Sequence, residues 1–362
     1  MRGLCSTEFS KDVNFAMDAD VVAVVDSIAD FFERRSDAQA IAAGMSAPAN
    51  RRRWTALCEM GLPVLRLAEP DGIGAGLLEA TAVAERLGAV LLPEPAVATI
   101  VLAEAWSTHS RGTDFLDTLC DGSRVTALCG FDTVELSREG ELRGRAHIPD
   151  DESTDAVALL AHDRYTAESA IVVVDKTDLP APESRITLDP TRPAAVVTLD
   201  TIEPVDVLRL SDQAADRIRR ELALLGAAEL VGGMQKVLTD TLDYVKTREQ
   251  FGRAIGSFQA TKHQLADMYI ATEQARAAVQ SAALEYTAES DFAAAMVASA
   301  ARWVPRAAVS MFEDAIHLHG AMGYSWEVDV HLHLRRALVT RDVFNRSKVT
   351  AEQLFSAIPA GI

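Results

Sequence analysis

The residues with the clearest chemical character lie in one short segment, Thr247–Gln259, between two helical sequence patterns. Arg248 can give charge-assisted hydrogen bonds to a phosphate, and Phe251 offers a flat apolar surface to a ring. Gln259 adds an amide, and the intervening glycines let the backbone turn. These groups suit the binding of a dinucleotide rather than reaction chemistry. Other interpretations stay open: an ion pair between Arg248 and Glu249, core packing of Phe251, and a capping role for Gln259.

The composition is that of a large, acidic and mostly helical protein. The chain has 362 residues, of which 49% are hydrophobic and 6% aromatic, and its net charge is -18. Such a charge argues against binding to nucleic acid or to an anionic membrane surface. The four cysteines show neither CxxC nor metal-ligand spacing, so we expect reduced thiols and no metal site. Without an apolar run of membrane-span length or a signal-peptide pattern, the sequence predicts a soluble, cytoplasmic protein.

Three regions follow one another along the chain. A helical pattern runs from Asp18 to about Ser110, and its Gly- and Pro-rich interruption at Leu67–Gly76 is interpreted as a turn, because no strand precedes it. Short β-rich runs bounded by Gly, Pro and Asp follow between about residues 124 and 208. The predicted strands are Val125–Leu128, Ala156–Leu160, Ala170–Val174 and Ala194–Leu199.

From about Leu210 to the end the pattern is helical again. One apolar stripe leads into the Thr247–Gln259 segment, a second helix begins near Phe258, and two more are predicted at Ala293–Leu318 and Ala337–Ile358. Four consecutive long helices predict a bundle. The predicted fold is therefore mainly α with an inserted β domain. Its expected parts are an N-terminal helical domain (1–122), a middle β domain (123–208) and a C-terminal four-helix bundle (209–362).

The chain resembles the acyl-CoA dehydrogenase family at several separate motifs. The sequence Arg-Glu-Gln-Phe-Gly at 248–252 is similar to that family's flavin-contacting segment. Further similar stretches are Glu85–Gly88, Leu91–Pro95, Leu318–Glu327 and His331–Arg336. The resemblance covers nearly the whole chain and implies a helical domain, a β-barrel-like domain and a four-helix bundle, in that order.

The family resemblance also implies an FAD site shared between subunits. In such a site one subunit's β domain holds the flavin ring, while a second subunit contributes its Arg-Glu-Gln-Phe-Gly segment and a glycine segment. His317 stands where the family commonly has glutamine, although an imidazole can still make a hydrogen bond. The implied cofactor-binding residues here are Arg248, Glu249, Gln250, Phe251, Phe258, Gln259, His317, Leu318, His319, Gly320 and Ala321.

The resemblance fails where the family's reaction needs a base. The reaction requires a glutamate to remove the α-proton of an acyl-CoA thioester. Counting from the glycines at 320 and 323 places the commonest catalytic position at Phe344, and counting back from Arg248 places the alternative position at Leu222, with a substrate-site arginine expected at Ala223. Glu221 is adjacent, but one residue turns a helix by about 100°. We interpret Glu221 as solvated helix surface, with a role as base the less favoured alternative.

A third loss lies in the predicted β domain. Family members carry a Thr-Glu-Pro segment followed by Gly-Ser-Asp that contacts the flavin ring, whereas this chain has Ala127–Glu135 with no match. Residues that would reach a partner's flavin are therefore kept, and those that would act within this subunit are lost.

This pattern resembles the non-catalytic subunit of the heterotetrameric (α2β2) acyl-CoA dehydrogenases of actinobacteria. The implied partners are a sister dehydrogenase subunit, an acyl-CoA thioester of a steroid side chain or another bulky acyl group, and an electron-transfer flavoprotein. Two alternatives stay open: an active homo-oligomeric dehydrogenase that uses Glu221, and a flavin-free binding or scaffold protein of the same fold.

Overall fold

The computed structural model describes residues 50–346 except 111–113, 150–153, 167 and 187, together with residues 23–25, 27, 28 and 31. The predicted helical pattern from Asp18 onward therefore lies mostly outside this range up to residue 49. The end of the last predicted helix, after residue 346, lies outside it as well.

The N-terminal part of the described chain is helical, as predicted. Its helices are α1 (Arg51–Glu59), α2 (Leu77–Ala89), α3 (Ala96–His109) and α4 (Asp114–Cys120). Helix α3 is apolar on all sides and mostly buried, which is typical of a helix in a protein interior. The stretch Leu67–Gly76 forms turns between α1 and α2, in agreement with the sequence-based interpretation.

A seven-stranded sheet follows, and all four predicted strands are present in it. The sheet order is β5-β6-β2-β1-β3-β4-β7, with β1 and β3 parallel and the other neighbours antiparallel. The register between β1 and β3 shifts between Cys129 and Val134. The strands are β1 (Thr126–Leu136), β2 (Leu142–Pro149), β3 (Ala156–Asp163), β4 (Glu168–Asp175), β5 (Ser184–Ile186), β6 (Ala194–Ile202) and β7 (Asp206–Leu210).

Both faces of the sheet are buried at the central strands β3 and β4. One face joins the core of the helices through residues such as Leu128 and Ile171, while the other face packs Leu159, Val172 and Val197 in a separate apolar cluster. Strands β3 and β4 are therefore almost continuously apolar, as strands covered on both sides must be.

The C-terminal part contains the four predicted long helices and one small hairpin. Helix α5 is followed by the short strands β8 and β9, and the chain then forms α6, α7 and α8. The last helix begins at Val330, so the predicted start at Ala337 is wrong. The bounds are α5 (Asp212–Thr247), β8 (Glu249–Gln250), β9 (Arg253–Ala254), α6 (Gln259–Thr287), α7 (Ala293–His319) and α8 (Val330–Arg346).

Helix α5 is the centre of the molecule. It is long and apolar enough to cross a membrane, but 78% of its apolar window is buried inside the protein, as in the core helix of a globular fold. It crosses α2 at glycines: a Cβ on Gly88 would lie 1.9 Å from the Glu229 carbonyl oxygen, and one on Gly232 would lie 1.8 Å from that of Glu85. Only residues without side chains allow such a close approach of two helix backbones.

Candidate functional site

The Arg-Glu-Gln-Phe-Gly segment forms a hairpin that projects from the end of α5. Phe251 and Gly252 sit at its tip with φ of +54° and +79°, a turn that joins β8 to β9. The side chain of Phe251 is 92% exposed, so core packing within this chain is excluded. Arg248, Glu249 and Gln250 are exposed as well.

Contacts within the hairpin give it a defined shape. The Arg253 guanidinium lies 4.0 Å from the centre of the Phe258 ring, and Phe251 meets the same ring edge-on at 6.2 Å. The Ile255 amide donates to the Arg248 carbonyl at 2.8 Å. Gln259 begins α6 and lies 2.9 Å from the His263 ring nitrogen. The exposed groups are therefore presented on an ordered support.

A second candidate segment ends helix α7. His317 is exposed and Leu318 is partly buried, and the helix stops at Gly320, whose φ of +61° suits glycine. No described atom lies within 4 Å of the place where a Cβ would stand on Gly320. A ligand could therefore approach the backbone closely at Gly320 and the exposed Ala321.

The side chain of His319, a residue predicted to contact the cofactor, is buried against α5. Its ring stacks on Tyr244 with centroids 4.3 Å apart and an angle of 12° between the planes. Its Nε2 lies 3.2 Å from the Thr241 hydroxyl, and the Tyr244 hydroxyl donates to its carbonyl oxygen at 3.2 Å. Burial lowers the pKa of His319, so the ring is neutral at neutral pH. Any contact with a ligand would come from its backbone.

A cavity of about 750 Å³ lies between the sheet and the bundle. Leu222 from α5 and Phe344 from α8, the two positions where the family resemblance implies a glutamate, both line it. The two positions identified by counting from the family motifs are far apart in the sequence and nevertheless line the same cavity. Phe344 packs edge-on against Phe131 of β1 at 5.8 Å, so this part of the wall is apolar.

Four charged residues form two ion pairs at another wall of this cavity. Arg192 holds Glu229 with two hydrogen bonds of 2.9 and 2.6 Å, and Arg336 pairs with Asp189. Arg336 also donates to the Thr191 hydroxyl at 2.5 Å, while its Nη1 is buried without a partner among the described residues. Because each charge is paired, this wall supplies hydrogen-bonding groups without a carboxylate free to act as a base.

The interpretation of Glu221 as solvated helix surface is wrong. Its side chain is 1% exposed and does not line the cavity. Arg66 donates to it at 2.5 Å and Arg217 at 3.3 Å. Glu221 and Leu222 are adjacent on α5 and therefore point in different directions. The Glu221 side chain is directed toward α3, where Arg66 also lies 3.9 Å from Glu104. Two arginines hold this carboxylate, an arrangement that suits a buried ion pair.

Several residues at the site went unnoticed in the sequence. Tyr244 and Thr241, which fix His319, occupy ordinary helix positions, and Arg192 follows a proline-rich stretch. Their importance depends on tertiary contacts between distant elements. Among the described residues there is no group of three or more His, Cys, Asp or Glu side chains arranged to hold a metal ion.

The described chain thus combines a helix-sheet-helix order with a projecting hairpin and a cleft between the sheet and the bundle. The family model for the acyl-CoA dehydrogenase C-terminal domain matches residues 220–343. The acyl-CoA dehydrogenase IpdE2 of Mycolicibacterium smegmatis is 32% identical over 319 residues, a match that covers 86% of this chain and 90% of that protein. The chain belongs to the acyl-CoA dehydrogenase family.

Solved structures share the fold at lower sequence identity. The Tcur3481-Tcur3483 steroid ACAD has a TM-score of 0.80 at 24% identity, covering 94% of this chain and 97% of its own. The ChsE4-ChsE5 complex from Mycobacterium tuberculosis has a TM-score of 0.81 at 22% identity, covering 96% and 98%. PigA with FAD and proline has a TM-score of 0.78 at 20% identity, covering 95% and 99%. FAD is the cofactor of the family, and the exposed hairpin and the open Gly320 turn fit contact with it.

Proposed function

We propose that this chain is the non-catalytic subunit of a heteromeric, FAD-dependent acyl-CoA dehydrogenase. Its hairpin and its Gly320 turn would contact an FAD held mainly by a sister subunit. The sister subunit would supply the base that removes the α-proton of the acyl-CoA. FAD, when bound, accepts the hydride from the β-carbon of the acyl group.

One observation carries this proposal: the groups suited to cofactor binding point away from the chain. Phe251 is almost fully exposed, and Arg248, Glu249, Gln250 and His317 are on the surface too. An exposed aromatic ring on an ordered hairpin is costly to hydrate unless something covers it. A partner polypeptide with a bound flavin would cover the ring and satisfy Arg248 at once.

The cavity of this chain also supports the proposal that a sister subunit supplies the catalytic base. Phe344 packs so close to α5 that a Cβ on Gly226 would lie 2.9 Å from its ring, and a Cβ on Gly130 of β1 would lie 2.7 Å from the Leu222 side chain. These apolar side chains stand at the two positions where the family resemblance implies a catalytic glutamate. Neither can exchange a proton with a substrate, and Glu221 is engaged by two arginines outside the cavity.

The proposal includes a bulky acyl group as substrate. It rests on similarity to the Tcur3481-Tcur3483 steroid ACAD, whose name states that substrate class. An electron-transfer flavoprotein is the proposed acceptor, since the reduced flavin must pass its electrons on, and the cytoplasm is the proposed location. The sister subunit would determine much of the substrate pocket.

The first experiment compares the chain purified alone with the chain co-expressed with a sister dehydrogenase subunit. We expect the lone chain to carry little FAD and to have no dehydrogenase activity. The complex should be yellow and active, with FAD equal in number to the copies of this chain. A yellow, active homo-oligomer made from this chain alone would contradict the proposal.

The role of Arg248 is tested in that complex with Arg248→Ala. Loss of a charge-assisted hydrogen bond to a phosphate costs about 2 kcal/mol, so FAD should bind about 30-fold more weakly. The measurement is titration of the flavin-free complex with FAD, followed by flavin fluorescence. The matched control is Lys246→Ala, which removes an exposed cation near the same helix end that pairs with Asp243. If the two variants bind FAD equally well, Arg248 does not contact the pyrophosphate.

A further inference from the structure

The two proposed FAD-contacting segments belong to different helices and must be held at a fixed separation. The hairpin follows α5 and the Gly320 turn ends α7. The binding of a flavin dinucleotide that contacts both segments therefore depends on their relative position. A shift of about 1 Å in such a support weakens a bound ligand's contacts substantially.

A single aromatic stack connects the bases of the two segments. Tyr244 lies one turn before the hairpin, because its carbonyl oxygen accepts the Arg248 amide at 2.8 Å. His319 directly precedes Gly320, and its ring lies against Tyr244 at 4.3 Å and nearly parallel to it. The Tyr244 hydroxyl donates to the His319 carbonyl, so ring and backbone are both fixed.

The imidazole of His319 is held in one orientation. Thr241, one turn earlier on α5, is 3.2 Å from Nε2, while Nδ1 is buried without a partner among the described residues. A buried polar atom without a hydrogen bond lowers stability. Tyr244 on one face and Thr241 at one edge nevertheless keep this ring in place, an arrangement that favours a defined position over maximal stability.

The return side of the hairpin is fixed against the same turn of α5. A Cβ on Gly256 would lie 2.9 Å from the carbonyl oxygen of Val245, the residue after Tyr244. Both ends of the hairpin therefore contact the helix turn that carries the stack. A movement of Tyr244 would be passed to the hairpin as a whole.

We propose that Tyr244 and His319 form a positioning pair that sets the spacing between the hairpin and the Gly320 turn, so that both contact one FAD. This inference rests on the proposed function. Tyr244 acts through Arg248 and Gly320 and has no contact of its own with the cofactor. The pair would lower the rate of FAD release by keeping the two contact points in register.

The test uses the complete heteromeric complex with Tyr244→Phe and Tyr244→Leu. The first variant removes one hydrogen bond and keeps the stack, and FAD release should become about fivefold faster. The second also removes the stack, and release should become about 30-fold faster. Release is followed by flavin fluorescence after dilution, and the melting temperature of the lone chain is measured in parallel.

The matched control is Tyr286→Phe. The Tyr286 hydroxyl also donates to a backbone carbonyl at 3.2 Å, that of Arg217. Arg217 lies about 40 Å from Tyr244 along α5 at 1.5 Å per residue. This control should lower the melting temperature as much as Tyr244→Phe and leave FAD release unchanged.

A double variant with Arg248→Ala separates positioning from general stability. If Tyr244 acts through Arg248, the Tyr244→Leu effect on FAD release should shrink when Arg248 is already absent. Additive effects, or release rates that simply follow the melting temperature in all variants, would overturn the inference while leaving the proposed function intact. A wild-type complex without FAD would overturn both.

Discussion

Glu221 is the residue whose environment most constrains the chemistry of this chain. It is buried between Arg66 and Arg217, and the nearby Glu104 has a pKa raised by burial and by the charge of Glu221. A general base must be able to reach its substrate and exchange a proton with it. The two arginines instead hold this carboxylate in ion pairs directed toward α3 and outside the cavity, which supports a structural role.

The variant Glu221→Gln tests this role. Removing one partner of a buried ion pair leaves Arg66 with only the more distant carboxylate of Glu104, so the free energy of unfolding should fall by about 3 kcal/mol. The dehydrogenation rate of the heteromeric complex should not change. Urea unfolding of the lone chain measures the first effect. The control Asp216→Asn breaks an exposed pair with Arg219 and should cost less than about 0.5 kcal/mol. Lost activity with unchanged stability would restore Glu221 as a catalytic candidate.

Among the elements, α2 and α5 pack backbone against backbone where they cross. Gly88 and Gly232 bring each helix against a backbone carbonyl of the other, where no side chain can move aside. Helix α5 also contains Gly226, where an added Cβ would meet a side chain rather than a backbone: the end of the Phe344 ring, at 2.9 Å. The two positions therefore separate backbone contact from side-chain contact.

Gly232→Ala should destabilise the protein by about 3 kcal/mol, the upper range for overpacking, because α2 and α5 must move apart. Gly226→Ala should cost clearly less, since the Phe344 side chain can shift whereas a backbone carbonyl cannot, and the helix-propensity gain of about 1 kcal/mol from glycine to alanine is common to both variants. Chemical unfolding of both variants gives the comparison. Equal losses would mean that α2 and α5 separate easily.

Most elements could be predicted from hydrophobic periodicity, but certain ones could not. Strand β2 was missed because Arg143 and Arg145 alternate with small or polar residues, so its pattern does not look apolar. The predicted start of helix α8 is too late because His331 and His333 are polar residue types and do not fit an apolar stripe. Both side chains are nevertheless buried. The hairpin was predicted as a binding segment from its residue types. Its exposure, and the contacts of Tyr244, Thr241 and Arg336, follow from tertiary packing that no local pattern encodes.

For the molecule as a whole, buried histidines predict sensitivity to acid. Burial lowers the pKa values of His319, His331 and His333, that of His333 to about 3 with smaller contributions from Lys236 and Arg336. Below the ordinary value of 6.5 the unfolded chain binds protons that the folded chain does not. The stability from the neutral rings is thus complete above pH 6.5 and is lost progressively as the pH falls toward 3.

His333→Leu tests this expectation. Between about pH 7 and pH 5 the wild type should lose about 2 kcal/mol of unfolding free energy through His333 alone. The variant should lose correspondingly less, whatever its stability at neutral pH. Urea unfolding at both pH values gives the two differences. If wild type and variant lose the same amount, His333 does not titrate between folded and unfolded states as inferred.

The exposure of Phe251 has a consequence for how this gene can vary. Since the ring touches little besides Phe258, most substitutions there leave the fold unharmed, and selection for a stable chain does not preserve it. A screen of variants for cellular abundance should score Phe251 as tolerant, while a screen for growth on the acyl substrate should score it as intolerant. Positions that tolerate substitution in the abundance screen but not in the growth screen would identify the surface that contacts the proposed sister subunit.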